Sequence, residues 1–178
     1  MVYIALLRGI NVGGNNKVSM AELKASFESL GFTNVRTYIN SGNVIFESSI
    51  TDKVALVTDC EAVIEQQFGF HVTCAVISAN ELRDALQQAP SWWDKNKADK
   101  QNALFVIAPA TTAEIMQQVG EAKPEYEQIA AAGPIIFWTA PLKTFGRTRY
   151  SKIVGTTAYQ SVTIRNANTT KKLLELCF

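Results

Sequence analysis

The stretch Asn34-Val35-Arg36-Thr37-Tyr38-Ile39-Asn40-Ser41-Gly42-Asn43-Val44-Ile45-Phe46-Glu47 reads as a β-hairpin. Residues 34–39 and 44–47 are its strands, and Asn40-Ser41-Gly42-Asn43 supplies the residues a tight turn needs. Upstream, the apolar run at residues 3–7 reads as a buried strand. Ser19 followed by Glu22 makes a capping box, which opens a helix with Met20, Leu23, Phe27 and Leu30 at helical spacing, stopped by Gly31. Downstream, Thr51 or Asp52 opens a second helix with Leu56, Cys60 and Val63 on one face and Gly69 at its end. Residues 72–77 form the next strand. The resulting order, β-α-β-β-α-β, is the ferredoxin-like arrangement.

The second half follows the same plan. Ser78 and Glu81 start a connecting helix, stopped at Pro90, and residues 90–101 form a polar linker. Trp92 and Trp93 stand out in that linker, and at least one is expected to pack between the two halves. Strands are expected at 102–107, 125–130, 135–139 and 160–164. A helix opens at Thr111 with Glu114, and another is capped by Asn166 or Asn168. Residues 144–159 read as part loop and part helix. The expected organisation is therefore α+β: two ferredoxin-like subdomains at 1–78 and 102–178, joined by residues 79–101. The duplication rests on the pattern of elements, with no repeat at the level of residues.

Composition is that of a globular chain, 47% hydrophobic and 19% charged over 178 residues. No apolar run approaches the roughly 18–20 residues that span a bilayer, and the short apolar start lacks the basic flank of a signal peptide. Cys60, Cys74 and Cys177 form neither a metal-ligand pattern nor a disulfide framework, so a reducing cytoplasm is the expectation. The net charge of +1 conceals an uneven distribution. Residues 22–127 hold 15 of the 16 acids and 8 of the 17 bases, whereas residues 1–21 carry no acid and residues 128–178 carry 7 bases and 1 acid. Basic ends suit an anionic ligand; they also suit attraction to the acidic middle.

Between the first strand and first helix lies Arg8-Gly9-Ile10-Asn11-Val12-Gly13-Gly14-Asn15-Asn16-Lys17. In the ferredoxin-like order, the first two strands run parallel with the third inserted between them. This loop, the amino end of the first helix and the Asn40-Ser41-Gly42-Asn43 turn should then meet at one sheet edge. A helix amino terminus attracts anions. Arg8 and Lys17 would add charge, Asn11, Ser41, Asn43 and Tyr38 hydrogen-bonding groups, and Gly13 and Gly14 close backbone approach. The same Asn and Gly residues equally suit turns with left-handed backbone and no ligand. Near the carboxyl end, Lys143-Thr144-Phe145-Gly146-Arg147-Thr148-Arg149-Tyr150-Ser151-Lys152 interleaves cations with aromatics, as nucleic-acid sites do and as solvated basic faces do.

Other chemistry is demoted. His71 is the only histidine, so His-based triads and His-rich metal sites lack ligands, and no metal or cofactor is expected. The glycine loop fits neither the Walker A spacing nor the dinucleotide fingerprint. No pair of acids adjoins it to hold a metal. No catalytic residue is legible.

The motifs Leu6-Leu7-Arg8-Gly9-Ile10-Asn11-Val12-Gly13-Gly14, Met20-Ala21-Glu22-Leu23, Leu30-Gly31-Phe32 and Thr37-Tyr38-Ile39-Asn40-Ser41-Gly42-Asn43-Val44 resemble the bacterial domain of unknown function 1697 family. Thr163-Ile164-Arg165-Asn166-Ala167-Asn168-Thr169 is similar to its closing motif, and Ser151-Lys152 to a short motif before it. The resemblance implies a cytoplasmic protein of two similar α+β subdomains, with no activity or catalytic residues to carry over. It also implies a shared polar set: Arg8, Asn11, Lys17, Tyr38, Ser41, Asn43, Arg165 and Asn166.

Three functions follow as expectations. The first is binding of a phosphate-bearing small molecule or nucleic acid by the glycine loop and the 40–43 turn, with Lys152, Arg165 and Asn166 joining from the second half. The second is an enzyme acting on a small polar metabolite through Tyr38, Ser41 or Lys17. The third is a protein-interaction module built on an apolar patch at Trp92 and Trp93. A membrane partner is not expected, and the oligomeric state is not legible.

Overall fold

The computed structural model describes all residues from Met1 to Phe178. Its chain divides into two compact units, Met1–Ala79 with Glu175–Phe178, and Asn80–Leu174. The elements of the first are β1 (Val2–Leu7), α1 (Met20–Ser29), β2 (Thr33–Tyr38), β3 (Asn43–Glu47), α2 (Lys53–Phe68) and β4 (Cys74–Ser78). The sheet runs β2-β3-β1-β4, with every neighbouring pair antiparallel. Because β3 lies between β1 and β2 and opposes both, those two strands are parallel and their carboxyl ends share one edge.

Local signals set the helix limits. Ser19 Oγ accepts from the Glu22 amide at 3.4 Å, and Asp52 Oδ1 accepts from Val54 at 2.9 Å. Gly69 closes α2 at φ +79°, a conformation open to glycine at no steric cost. The α1 face is an aromatic cluster: Phe27 meets Phe46 edge-on at 5.6 Å, and Phe46 stacks on Phe32 at 4.4 Å. Tyr3, Phe27 and Phe46 are almost fully buried.

The second unit holds α3 (Ala79–Gln87, with Ala79 at the division), β5 (Asp99–Val106), α4 (Thr112–Val119), β6 (Gln128–Ala132), β7 (Ile135–Pro141) and β8 (Val162–Asn166). The last helix, α5 (Ala167–Cys177), runs from this unit into the first. The sheet order β6-β7-β5-β8 is the order of the first sheet repeated. Thr111 and Glu114 form the full reciprocal capping box, and Asn166 Oδ1 caps α5 by accepting from Thr169 at 2.8 Å.

The chain is thus α+β with two β-α-β-β-type units. One departure separates them. Where the first unit has α2, the second has three 3-10 helices, Leu142–Arg147, Tyr150–Gly155 and Thr157–Ser161. Of the linker tryptophans, Trp92 is half-buried and Trp93 is buried, and Trp93 packs on residues of the second unit. Its ring meets Phe137 edge-on at 4.8 Å and its indole nitrogen donates to the Asn102 carbonyl at 2.9 Å.

Candidate functional site

The glycine loop is a miniature hairpin. The Asn11 amide donates to the Asn16 carbonyl and the Asn15 amide to the Val12 carbonyl, both at 3.0 Å. Gly13 and Gly14 sit between them at φ +58° and +79°, the positive pair that defines a type I′ turn. That turn leaves the amides of Gly13 and Gly14 unused, on an exposed tip.

Two contacts tie this hairpin to the turn between β2 and β3. The Leu7 amide donates to the Gly42 carbonyl at 2.8 Å, and Asn11 Nδ2 donates to the Asn40 carbonyl at 2.8 Å. Asn11 also accepts from the Val18 amide at 2.8 Å and donates to the Val18 carbonyl at 3.0 Å, so its amide group clasps loop and turn together. Asn43 is fully buried and donates to the Tyr38 carbonyl at 3.0 Å. These two asparagines build the edge rather than line it. Gly42, at φ +90°, is packed so closely that a Cβ there would lie 2.6 Å from Ile10 Cδ1 and 2.8 Å from Leu7 Cβ.

Arg8, Lys17, Ser41 and Tyr38 belong to this edge as well. Arg8 is half-buried and donates to Thr73 Oγ1 at 3.2 Å, which directs its guanidinium along the edge beside β4. Lys17 and Ser41 are exposed, and Tyr38 is half-buried. Two apolar side chains stand out on the same turns. Val12 is 65% exposed and Ile39 is 46% exposed. Ile39 has φ +50°, outside the strand its sequence resembles, and that backbone is uncommon for a β-branched residue.

Lys152, Arg165 and Asn166 lie in the second unit. Arg165 is buried on β8 and donates to Thr163 Oγ1 at 3.2 Å, while Asn166 is spent in capping α5. Lys152 is exposed on the 3-10 segment together with Lys143, Arg147 and Arg149. That segment is held by Glu127, a buried carboxylate that accepts from the amides of Lys123 at 2.9 Å, Arg149 at 2.7 Å and Tyr150 at 3.2 Å. Burial, helped by the Glu127 charge, pushes the Tyr150 hydroxyl up to about 12.

A cavity of about 400 Å³ opens beside the start of α5, lined by Asp94, Lys97, Lys100, Gln101 and Asn166 among others. Burial raises the Asp94 carboxyl, but hydrogen bonds from Lys171 and Lys97 outweigh it and hold the group below its ordinary 3.8. A carboxylate with a lowered folded value contributes stability that is complete above the unfolded value and is lost as pH falls through the folded one. Urea unfolding of Asp94→Asn should therefore differ from wild type most at neutral pH, with the gap closing below about pH 4. A gap that is constant with pH would dismiss the ion pairs as its source.

No group of three His, Cys, Asp or Glu side chains comes together to hold a metal ion. No helix is long and apolar enough to cross a membrane. All three cysteines are free and buried.

Residues 1–137, which include the whole first unit apart from its carboxyl-terminal residues, match the model of a family described as protein of unknown function (DUF1697). The chain belongs to the DUF1697 family. Among solved structures it is similar to the conserved bacterial protein SP0830 from Streptococcus pneumoniae, at 32% identity and a TM-score of 0.86. That alignment covers 99% of this chain and 98% of the other. No curated protein matches the sequence.

Within this DUF1697 chain, sequence reasoning missed Glu127, Thr73 and the exposed pair Val12 and Ile39. For Ile39 a signal existed: a β-branched residue precedes Asn-Ser-Gly, where the turn begins. For Glu127 there was none, since its role depends on amides 22 and 23 residues further along the chain.

Proposed function

We propose that this protein binds a phosphate-bearing ligand, a nucleotide or a nucleic acid, at the edge of the first unit. The phosphate lies on Arg8 and Lys17 and on the free amides of Gly13 and Gly14, while Ser41 and Tyr38 orient the rest of the ligand. One observation carries the reading: Asn11 and the Leu7–Gly42 bond lock two polar turns into a single rim, and residues 1–21 of that rim contain two cations and no acid. A local excess of cations on a braced loop attracts anions. Three free thiols support a reducing compartment such as the cytoplasm.

The test is titration with inorganic phosphate, pyrophosphate, nucleoside monophosphates and short oligonucleotides at low salt, followed by calorimetry and thermal unfolding. A ligand that binds only the folded state raises the midpoint in proportion to its occupancy. At least one of these anions should do so, and Arg8→Ala and Lys17→Ala should each weaken it about ten-fold, one cation contact being worth roughly 1.4 kcal/mol. Lys17 is exposed, so its variant separates binding from folding. Affinity unchanged in both variants, or no anion that stabilises wild type, sinks the reading.

A further inference from the structure

Ile39 occupies a position that its own turn does not require it to fill. At φ +50°, asparagine or glycine would serve with less steric conflict, and the turn already uses both types at Asn40 and Gly42. Nor does burial compensate, because 46% of the residue remains exposed. Backbone strain of this kind clusters at ligand sites. Val12 presents a second β-branched side chain, 65% exposed, on the neighbouring turn. The residues next to them in sequence, Asn11 and Asn40, are joined by a 2.8 Å hydrogen bond. Two unburied aliphatic side chains thus stand on one cross-linked rim that also carries Arg8 and Lys17.

We infer that Val12 and Ile39 are the apolar seat for the nucleobase of a nucleoside phosphate whose phosphate lies on Arg8 and Lys17. This rests on the anion-binding reading of the same edge. Two side chains are far too little for a protein interface, which buries about 800 Å² on each partner, but they suit one face of a flat ring. Arg8 and Lys17, on the loop that carries Val12, supply charge for the phosphate, and Ser41, two residues after Ile39, supplies an exposed hydroxyl for the sugar. Aliphatic side chains are a known means of holding a base by its face.

Calorimetry of inorganic phosphate, ribose 5-phosphate, the common ribonucleoside 5′-monophosphates and single-stranded tetranucleotides decides the matter, on wild type, Ile39→Asn and Val12→Ser. Wild type should bind a base-bearing ligand about ten-fold more tightly than ribose 5-phosphate. Both variants should lose that excess while keeping the affinity for phosphate. An excess seen with mononucleotides assigns a free nucleotide, and one seen only with tetranucleotides assigns a strand. Thermal unfolding of Ile39→Asn should have a midpoint equal to or above that of wild type, which rules out misfolding as the cause of a lost excess. No excess with any base, or an excess that survives both substitutions, overturns the inference while leaving the anion site standing. If phosphate and every phosphate ester fail to bind, the anion reading falls and this one with it.

Discussion

Gly42→Ala should destabilise the first unit by about 3 kcal/mol, the combined cost of a left-handed non-glycine residue and an overpacked contact. Gly42 holds φ +90°, and a Cβ would lie 2.6 Å from Ile10 Cδ1 and 2.8 Å from Leu7 Cβ. Neither neighbour gives way easily. Leu7 ends the central strand and Ile10 is a core residue, both almost fully buried. The added methyl would also pull apart the Leu7 amide and Gly42 carbonyl, now 2.8 Å apart, and with them the rim on which anion binding is proposed. Urea unfolding monitored by circular dichroism measures the loss. Gly13→Ala is the comparison: it has φ +58° but nothing within 4 Å of its added methyl, so it should cost only the backbone term, about 1 kcal/mol. Equal losses at the two positions would refute the packing account of Gly42.

Glu127→Ala should cost the second unit about 3–5 kcal/mol, the range for removing one partner of a buried charged network. Its carboxylate accepts from the amides of Lys123, Arg149 and Tyr150, and alanine would leave these donors without an acceptor. Glu127→Gln should fall between alanine and wild type. The amide oxygen can take over the Lys123 and Arg149 bonds, now both at Oε1, but an NH₂ group would then face the Tyr150 amide. Hydrogen exchange locates the effect: in Glu127→Ala, protection should drop at Arg149 and Tyr150 while the amides of β1 and β3 stay slow. Unchanged protection at 149–150 would show that the 3-10 segment is held by its packed residues Tyr150 and Ile153 instead.

Much of the architecture was legible because its signals are local. Ser19, Asp52 and Thr111 cap the helices they precede, since a side-chain oxygen needs only the next turn's amides. The apolar run of β1 is buried along its length, as a central strand's must be. Where prediction and structure differ, long-range terms decide. β5 begins at Asp99 rather than 102 because Asp99 and Lys100 pair with Pro141 and Ala140. β6 begins at Gln128 rather than 125 because Glu127 is drawn into its own hydrogen-bond hub. Residues 144–159 form 3-10 turns because that hub, and Thr148 bonding to the Phe145 carbonyl at 2.7 Å, reward short turns over a continuous helix.

The candidate site divides in the same way. From the sequence alone came its ingredients: a glycine-rich loop, an Asn-Ser-Gly turn, Arg8 and Lys17 with no acid between them, and the β-α-β-β order that brings loop and turn to one edge. Tertiary structure decided what each residue does there. Asn11 and Asn43 resemble ligand groups in sequence, yet their side chains bond to Val18, Asn40 and Tyr38 and hold the rim together. Val12 and Ile39 resemble core residues in sequence, yet they stand exposed. The physical reason is reach. Caps and strand periodicity are set within a few residues, whereas the fate of a polar or apolar side chain depends on which distant backbone groups the fold brings within about 3 Å of it.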